Sequence, residues 1–312
     1  MVKVGLFGAG YLGKIHINKW ESIDGATLTG FYEPNDEYAT DITDTYPLPR
    51  FNNEDELIDA CDAIHLVSPV SLHFNRCEKA IRKGKHVFVE KSIAHTVAEA
   101  QQLVKLVQES NVKLQVGQKE RFNPAFLAAR EYVSNPLLIK AHRHEPLNIH
   151  GINTDVILDL MIHDIDAVLS IVNSDVKHIS ATGVNVVSAT PDIADVRIEF
   201  YNGCSANLTA SRLGKKKVQV MHLYQRDAQV EIDFLHQSAE LVTSKGVEII
   251  HTSEKPATTT IANSDTAQTE LQAFIKAIEN NSRTAVNEID GLHTLEVTHQ
   301  VLHKINQSLS LT

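Results

Sequence analysis

Gly8-Ala9-Gly10-Tyr11-Leu12-Gly13 carries the GxGxxG spacing and lies between an apolar run, Val2–Phe7, and a helical pattern that begins at Tyr11. A dinucleotide-binding turn requires that context. Gly8 permits a tight turn, Gly10 lets a pyrophosphate approach the backbone, and Gly13 allows close helix–strand packing. The free N–H groups and positive dipole end of the helix face the anion, with Ala9, Tyr11 and Leu12 completing the cradle. A plain strand-to-helix turn is the blander explanation. Glu33 follows the second apolar run, Ala26–Tyr32. A carboxylate there accepts hydrogen bonds from ribose hydroxyls and repels a 2′-phosphate, which favours NAD over NADP. An ordinary loop glutamate also fits the position.

Three further residues are candidates for moving a proton. Lys91 follows the run His86–Val89 and Glu90, at the carboxyl end of an expected strand, the edge that faces the ligand crevice in an open parallel sheet. There it could hydrogen-bond a substrate hydroxyl; a solvated lysine paired with Glu90 explains the sequence as well. Asp159 and His163 stand four apart on a helical pattern, Thr154–Val172, and so share one face. The carboxylate can orient the imidazole, which can then carry a proton to and from a hydroxyl. Such a pair more often only satisfies itself, and the neighbouring Asp164 and Asp166 read as part of the helix's polar face. His142 and His144 alternate on an expected strand. No HExxH or Cys/His spacing joins them to His163 and Asp159, so no metal is expected. His16, His73 and His303 fall in helical patterns and read as packing or solvent-facing residues.

These groups need a frame. Up to about residue 120, apolar runs at Val2–Phe7, Ala26–Tyr32, Ala63–Val67, His86–Val89 and Lys113–Val116 alternate with helical patterns at Tyr11–Ser22, Asn35–Thr45, Glu54–Ala60, Leu72–Lys83 and Val97–Ser110. Strand–helix alternation of this kind builds a doubly wound parallel sheet. Thr96 with Glu99 forms a capping box. Beyond residue 120 come a helix over Pro124–Val133, an extended segment over Leu138–Glu145 and the Thr154–Val172 helix. Strand-like runs then extend from Val176 to His251, separated by short polar or glycine-bearing turns, and read as a mainly antiparallel meander. Ser253–Asp265 shows no periodicity and reads as a loop; helices over Thr266–Asn280 and Gly291–Leu309 close the chain. The expectation is an α/β protein with a domain at 1–120 and an α+β domain at 121–312.

Composition excludes several classes. The 312 residues are 43% hydrophobic and 22% charged, and the net charge of −10 disfavours nucleic acid or an anionic membrane as partner. No run approaches 18 apolar residues, so no membrane span is expected. Cys61, Cys77 and Cys204 form no CxxC pair and suit a reducing, cytoplasmic setting.

GAGYLG, Ser68-Pro69 with His73, Glu90-Lys91 and Asp159-x-x-x-His163 occur in the order seen in the Gfo/Idh/MocA oxidoreductases, which the chain resembles over nearly its whole length. The resemblance implies an N-terminal Rossmann domain and a C-terminal α/β domain whose open sheet mediates a homo-oligomer, a dimer or tetramer. It also implies NAD(P) bound with help from Ser68, Pro69, His73, Glu90 and Lys91, and oxidation or reduction of a sugar or cyclitol hydroxyl carbon. Lys91 and His163 would handle the proton, with Asp159 orienting or touching substrate. The segment Val116–Pro124, His142-Arg143 and Asp159–Asp166 is similar to the UDP-N-acetylglucosamine 3-dehydrogenase-like branch. That likeness implies a nucleotide-sugar substrate met by Arg121, Asn123, Arg143 and Lys216. Two positions depart from the family pattern: EKP reads Glu90-Lys91-Ser92, and TPNxxH reads SPVSLH with Val70 where an amide usually stands. A free-sugar or inositol dehydrogenase, and a non-catalytic dinucleotide sensor, are the rival expectations.

Overall fold

The computed structural model describes residues 1–147, 154–250 and 265–309. The expected loop Ser253–Asp265 lies outside them except for Asp265. Two compact units form, one from Met1–Lys119 with Asp265–Leu295 and the other from Glu120–Ser264 with Glu296–Thr312.

In the first unit, β1 (Val2–Phe7), β2 (Ala26–Tyr32), β3 (Arg50–Phe51), β4 (Ala63–Leu66), β5 (His86–Val89) and β6 (Leu114–Val116) form a parallel sheet in the order β3-β2-β1-β4-β5-β6. That order reverses direction beside β1, which opens a ligand crevice at the carboxyl ends of β1 and β4. β4 is buried throughout and β1 nearly so, as expected for strands covered on both faces. Helices α1 (Tyr11–Trp20), α2 (Asp36–Thr45), α3 (Glu54–Ala60), α4 (His73–Arg82) and α5 (Val97–Glu109) connect them. Asn35 and Asn53 cap α2 and α3, and the Thr96–Glu99 capping box opens α5. α4 begins one residue later than the apolar pattern suggests, because Val70–Leu72 forms a separate 3₁₀ turn.

The boundary expected at residue 120 differs from the observed units at the other end of the chain. α8 (Thr266–Glu279) belongs to the first unit, where Leu271, Phe274 and Ile275 join Val2, Val4, Trp20 and Phe88 in one core. A domain spanning 121–312 is therefore corrected, because the apolar stripe of α8 completes the core on the β1 side of the parallel sheet.

In the second unit, eight strands follow the order β14-β13-β12-β11-β7-β10-β9-β8. Their ranges are β7 Leu138–His144, β8 Val176–Val184, β9 Ile193–Phe200, β10 Ser205–Ser211, β11 Val218–Gln225, β12 Ala228–Asp233, β13 Ser238–Thr243 and β14 Gly246–Ile250. All neighbours are antiparallel except β7 and β10, since β7 inserts between β10 and β11. Alternating burial along β7, β9 and β10 gives the sheet one apolar face. Phe126 of α6 (Pro124–Arg130), Ile165 and Val168 of α7 (Ile162–Ile171), and Val301 and Ile305 of α9 (Glu288–Leu309) pack there. Among the described residues, no helix is long and apolar enough to cross a membrane.

Candidate active site

The turn after β1 has the features the glycine spacing demands. Gly8 holds φ at +101°, and a Cβ there would sit 2.9 Å from the Val67 carbonyl oxygen. At Gly13 a Cβ would fall 2.3 Å from the Gly8 oxygen, so α1 can pack against its own entry turn only without a side chain. Gly10 is the opposite case: nothing lies within 4 Å of where its Cβ would be. Open space there, no side-chain cap on the helix N-terminus and no acid in its first turn together suit an incoming pyrophosphate. Tyr11 and Leu12 expose their side chains beside it.

Glu33 ties the end of β2 to this turn. One carboxylate oxygen accepts the Ala9 N–H at 2.9 Å and the other accepts the Asn35 N–H at 2.9 Å. Each oxygen keeps a lone pair for a ribose hydroxyl. Arg50, invisible to a search for an arginine next to Glu33, donates from Nε and Nη2 to the Glu33 carbonyl and pairs with Asp36 at 2.7 Å. It arrives from β3, brought alongside by strand pairing.

At the carboxyl end of β5, Lys91 is half-buried and its peptide bond to Ser92 is cis. Glu90 faces two imidazoles. Its Oε1 lies 3.1 Å from His16 Nε2 and 3.6 Å from His65 Nε2, and Oε2 sits where a Cβ on Gly117 would be, at 2.9 Å. Burial opposes ionisation of Glu90, but the two imidazoles facing it hold it well below the usual carboxylate range. His65 is neutral, since burial pushes it down to about 4. Its Nδ1 accepts the Trp20 indole N–H at 3.0 Å, so the ring proton sits on Nε2 and faces Glu90. His16, His65 and Glu90 are spaced as metal ligands would be. The protonated Nε2 has no lone pair to give, and the trio does not fit a cation. His73, expected to touch cofactor, is only 1% exposed and bonds to two backbone carbonyls.

In the second unit the expected single helix over Thr154–Val172 is interrupted. Ile157–Met161 forms a π-helical turn that carries Asp159, and α7 proper starts at Ile162. Four-residue spacing across such a junction no longer guarantees a shared face, which corrects that part of the Asp159–His163 argument. Asp159 is half-buried and His163 is 8% exposed. Asp164 and Asp166, expected on a polar face, are buried instead. Asp164 takes Arg143 through Nε at 3.0 Å and Nη2 at 2.8 Å, while Asp166 takes Arg121 through Nε at 2.7 Å and Nη2 at 2.9 Å. Arg143 also reaches Glu120 at 3.0 Å. Burial works against its charge, yet Asp164 and Glu120 hold it protonated. Both arginines thus tether α7 through carboxylates that closely follow His163 in the chain. Asn123 is likewise enclosed, capping α6 and donating to the Phe234 carbonyl at 2.9 Å. Lys215 and Lys216 are exposed, and Lys217 pairs with Glu145. Among the described residues, His142, His144, Asp159 and His163 do not gather their donor atoms into a metal-sized group.

Comparison with known proteins places this frame. Residues 2–118 match the oxidoreductase family with an NAD-binding Rossmann fold, and residues 142–246 match the GFO/IDH/MocA C-terminal domain. The chain belongs to the Gfo/Idh/MocA oxidoreductases. It is 28% identical over 306 residues to the UDP-N-acetylglucosamine 3-dehydrogenase of Acidithiobacillus ferrooxidans, covering 96% of each chain. The solved structure of that enzyme superposes with a TM-score of 0.90 over 97% of both chains at 27% identity. The NAD(+)-dependent scyllo-inositol 2-dehydrogenase of Bacillus subtilis is 24% identical, covering 95% of this chain and 92% of its own. Levoglucosan dehydrogenase, solved with NADH and L-sorbose, shares the fold at a TM-score of 0.89 and 16% identity, covering 98% and 97%. The protein is therefore an NAD-binding oxidoreductase of the dehydrogenase class.

Proposed function

We propose that the chain is an NAD-dependent dehydrogenase that transfers a hydride between nicotinamide and C3 of a UDP-N-acetylhexosamine. The observation that carries the substrate class is the similarity to UDP-N-acetylglucosamine 3-dehydrogenase, which runs across 96% of both chains and both units. The first unit holds the cofactor and the second the sugar. Gly8–Gly13 receives the pyrophosphate, Glu33 the adenosine ribose, and the backbone at Ser68 and Pro69 lines the crevice. Bound NAD supplies the hydride acceptor. The chain's own work is to orient the sugar and to move the hydroxyl proton through Lys91 or His163, with Asp159 directing the imidazole or the substrate. With Arg121 and Arg143 paired with carboxylates, Lys216 is an exposed cation suited to the diphosphate.

The uncovered face of the C-terminal sheet, where Lys140, His142 and His144 alternate outward along β7, suits pairing with a second copy as a dimer or tetramer. Three buried free cysteines agree with a reducing cytoplasm. The deciding experiment follows NADH formation with UDP-N-acetylglucosamine, free N-acetylglucosamine and inositols offered in parallel. Turnover of the nucleotide sugar supports the reading. Turnover of inositol alone replaces the substrate, and NAD binding with no turnover of any sugar leaves the sensor.

A further inference from the structure

His73 is the first residue of α4, and each of its ring nitrogens meets a carbonyl acceptor. Nδ1 lies 2.7 Å from the Ser92 carbonyl oxygen and Nε2 lies 2.8 Å from the Ser68 carbonyl oxygen. A neutral imidazole carries one N–H and one lone pair. It can donate to one of these carbonyls and must set its lone pair against the other. Only the imidazolium satisfies both. The two carbonyls are also informative by position. Ser68 follows the Val67 carbonyl against which Gly8 of the cofactor turn is pressed, and Ser92 follows Lys91.

We propose that His73 is a buried cation that pins the Ser68 and Ser92 carbonyls together, and that it serves as a positioning residue for Lys91. The proposal rests on the reading of Lys91 as a proton-handling group. His73 touches neither substrate nor cofactor; it fixes the backbone on which both depend. Burial is the largest influence and sets its pKa below the ordinary imidazole value, with Arg76, on the same helix, adding to that. Against them stand the two carbonyls and the Glu90 carboxylate from the end of β5, itself kept ionised by His16 and His65. The geometry decides for the charged ring, because two short contacts to carbonyl oxygens coexist only when both nitrogens are protonated. The sign of the pH effect follows. The clamp is complete below the folded-state pKa of His73 and loses one hydrogen bond as pH rises through it.

Two measurements test it. The first needs no substrate: ¹⁵N NMR of the full-length protein labelled at histidine, with the His73 signals assigned by their loss in His73→Gln. Both ring nitrogens of His73 are expected to be protonated at pH 7, and a signal from one bare nitrogen overturns the cation. The second compares His73→Gln with the parent enzyme. The amide can donate from one nitrogen and cannot span both carbonyls, so kcat falls about 10- to 100-fold while the Kd for NADH, read by fluorescence, moves less than about threefold. An unchanged kcat, or a loss confined to the NADH Kd, overturns the positioning role. A parent enzyme that turns over no sugar defeats the functional reading, and the NMR result still decides the charge.

Discussion

In the first unit the Glu90 carboxylate is faced by two imidazoles, whereas in the second unit Arg143 and Arg121 are paired with acids. The two solutions serve different needs. The crevice side of a parallel sheet is made of strand ends and loops, whose backbone carbonyls and N–H groups need partners. Histidines can supply these in small, adjustable units. The second unit must instead hold α7 firmly against the apolar face of its sheet, and bidentate Arg–carboxylate pairs fix a helix in both rotation and translation. Charge near the cofactor turn is thus arranged to control backbone, and charge near His163 to control a helix.

That contrast is broken most severely at the groups in neither scaffold. Lys91→Ala and His163→Ala each lower turnover by about 10²–10⁴-fold if these residues handle the proton, with NADH affinity nearly constant. A variant with parental turnover removes its residue from the mechanism. Next in size is Arg143→Ala, which strands Glu120 and Asp164 without their cation. Stability falls by about 3–5 kcal/mol, measured by urea unfolding. If instead stability holds and only the KM for the nucleotide sugar rises, Arg143 is a substrate ligand and the tethering account fails.

Acid titration sharpens the comparison, because a buried imidazole and a hydrogen-bonded carboxylate lose stability in different pH windows. His65 in the first unit is neutral when folded, down to about 4. An unfolded histidine takes up a proton near pH 6.5, so stability present above 6.5 is lost as pH falls from 6.5 to 4, by about 3 kcal/mol. Asp192 in the second unit is the reverse case. Burial opposes its charge, but N–H groups of Val186, Val187 and Ser188 and the Ser188 hydroxyl hold it ionised down to about 2. Its contribution is present above about pH 4 and disappears toward pH 2, by about 2 kcal/mol. Urea midpoints followed from pH 7 to 2 should show two descending steps. His65→Asn should flatten the upper one and Asp192→Asn the lower, and a single step insensitive to both substitutions contradicts the assignment.

How much of this was legible depended on the range of the cause. β1, β2 and β5 are bounded by residues that end their own apolar runs, and the capping box at Thr96 is a local pattern, so the sequence shows them directly. β3 has only two residues, and β13 alternates too weakly around Glu240 to stand out. The π-helical turn at Ile157 keeps the same apolar spacing as an α-helix and is decided by packing. The glycine cradle could be read because all its parts are adjacent. Arg143 and Arg121 looked like ligands because their acids are 21 and 45 residues away, a separation at which sequence spacing carries no geometry. The same holds for His73, whose two carbonyl partners are on different loops.

The smallest expected effect concerns the adenosine end of the cofactor. Glu33 offers a fixed carboxylate, and Arg50 sits one strand away with its guanidinium already engaged by the Glu33 carbonyl and Asp36. A 2′-phosphate entering there meets the carboxylate first, and Arg50 can greet it only by leaving Asp36. The choice between NAD and NADP thus turns on two local charges, one of which is occupied. Glu33→Ser removes the repulsion, keeps a hydroxyl that can accept a hydrogen bond and leaves Arg50 in place. The ratio of kcat/KM for NADH over NADPH should fall about tenfold, equivalent to about 1.4 kcal/mol. Arg50→Ala added to Glu33→Ser should reverse much of that gain for NADPH, since the freed site then lacks its cation. If the parent enzyme already uses NADPH as well as NADH, Arg50 rather than Glu33 governs the pocket, and the single Arg50→Ala variant would show it by losing NADPH alone.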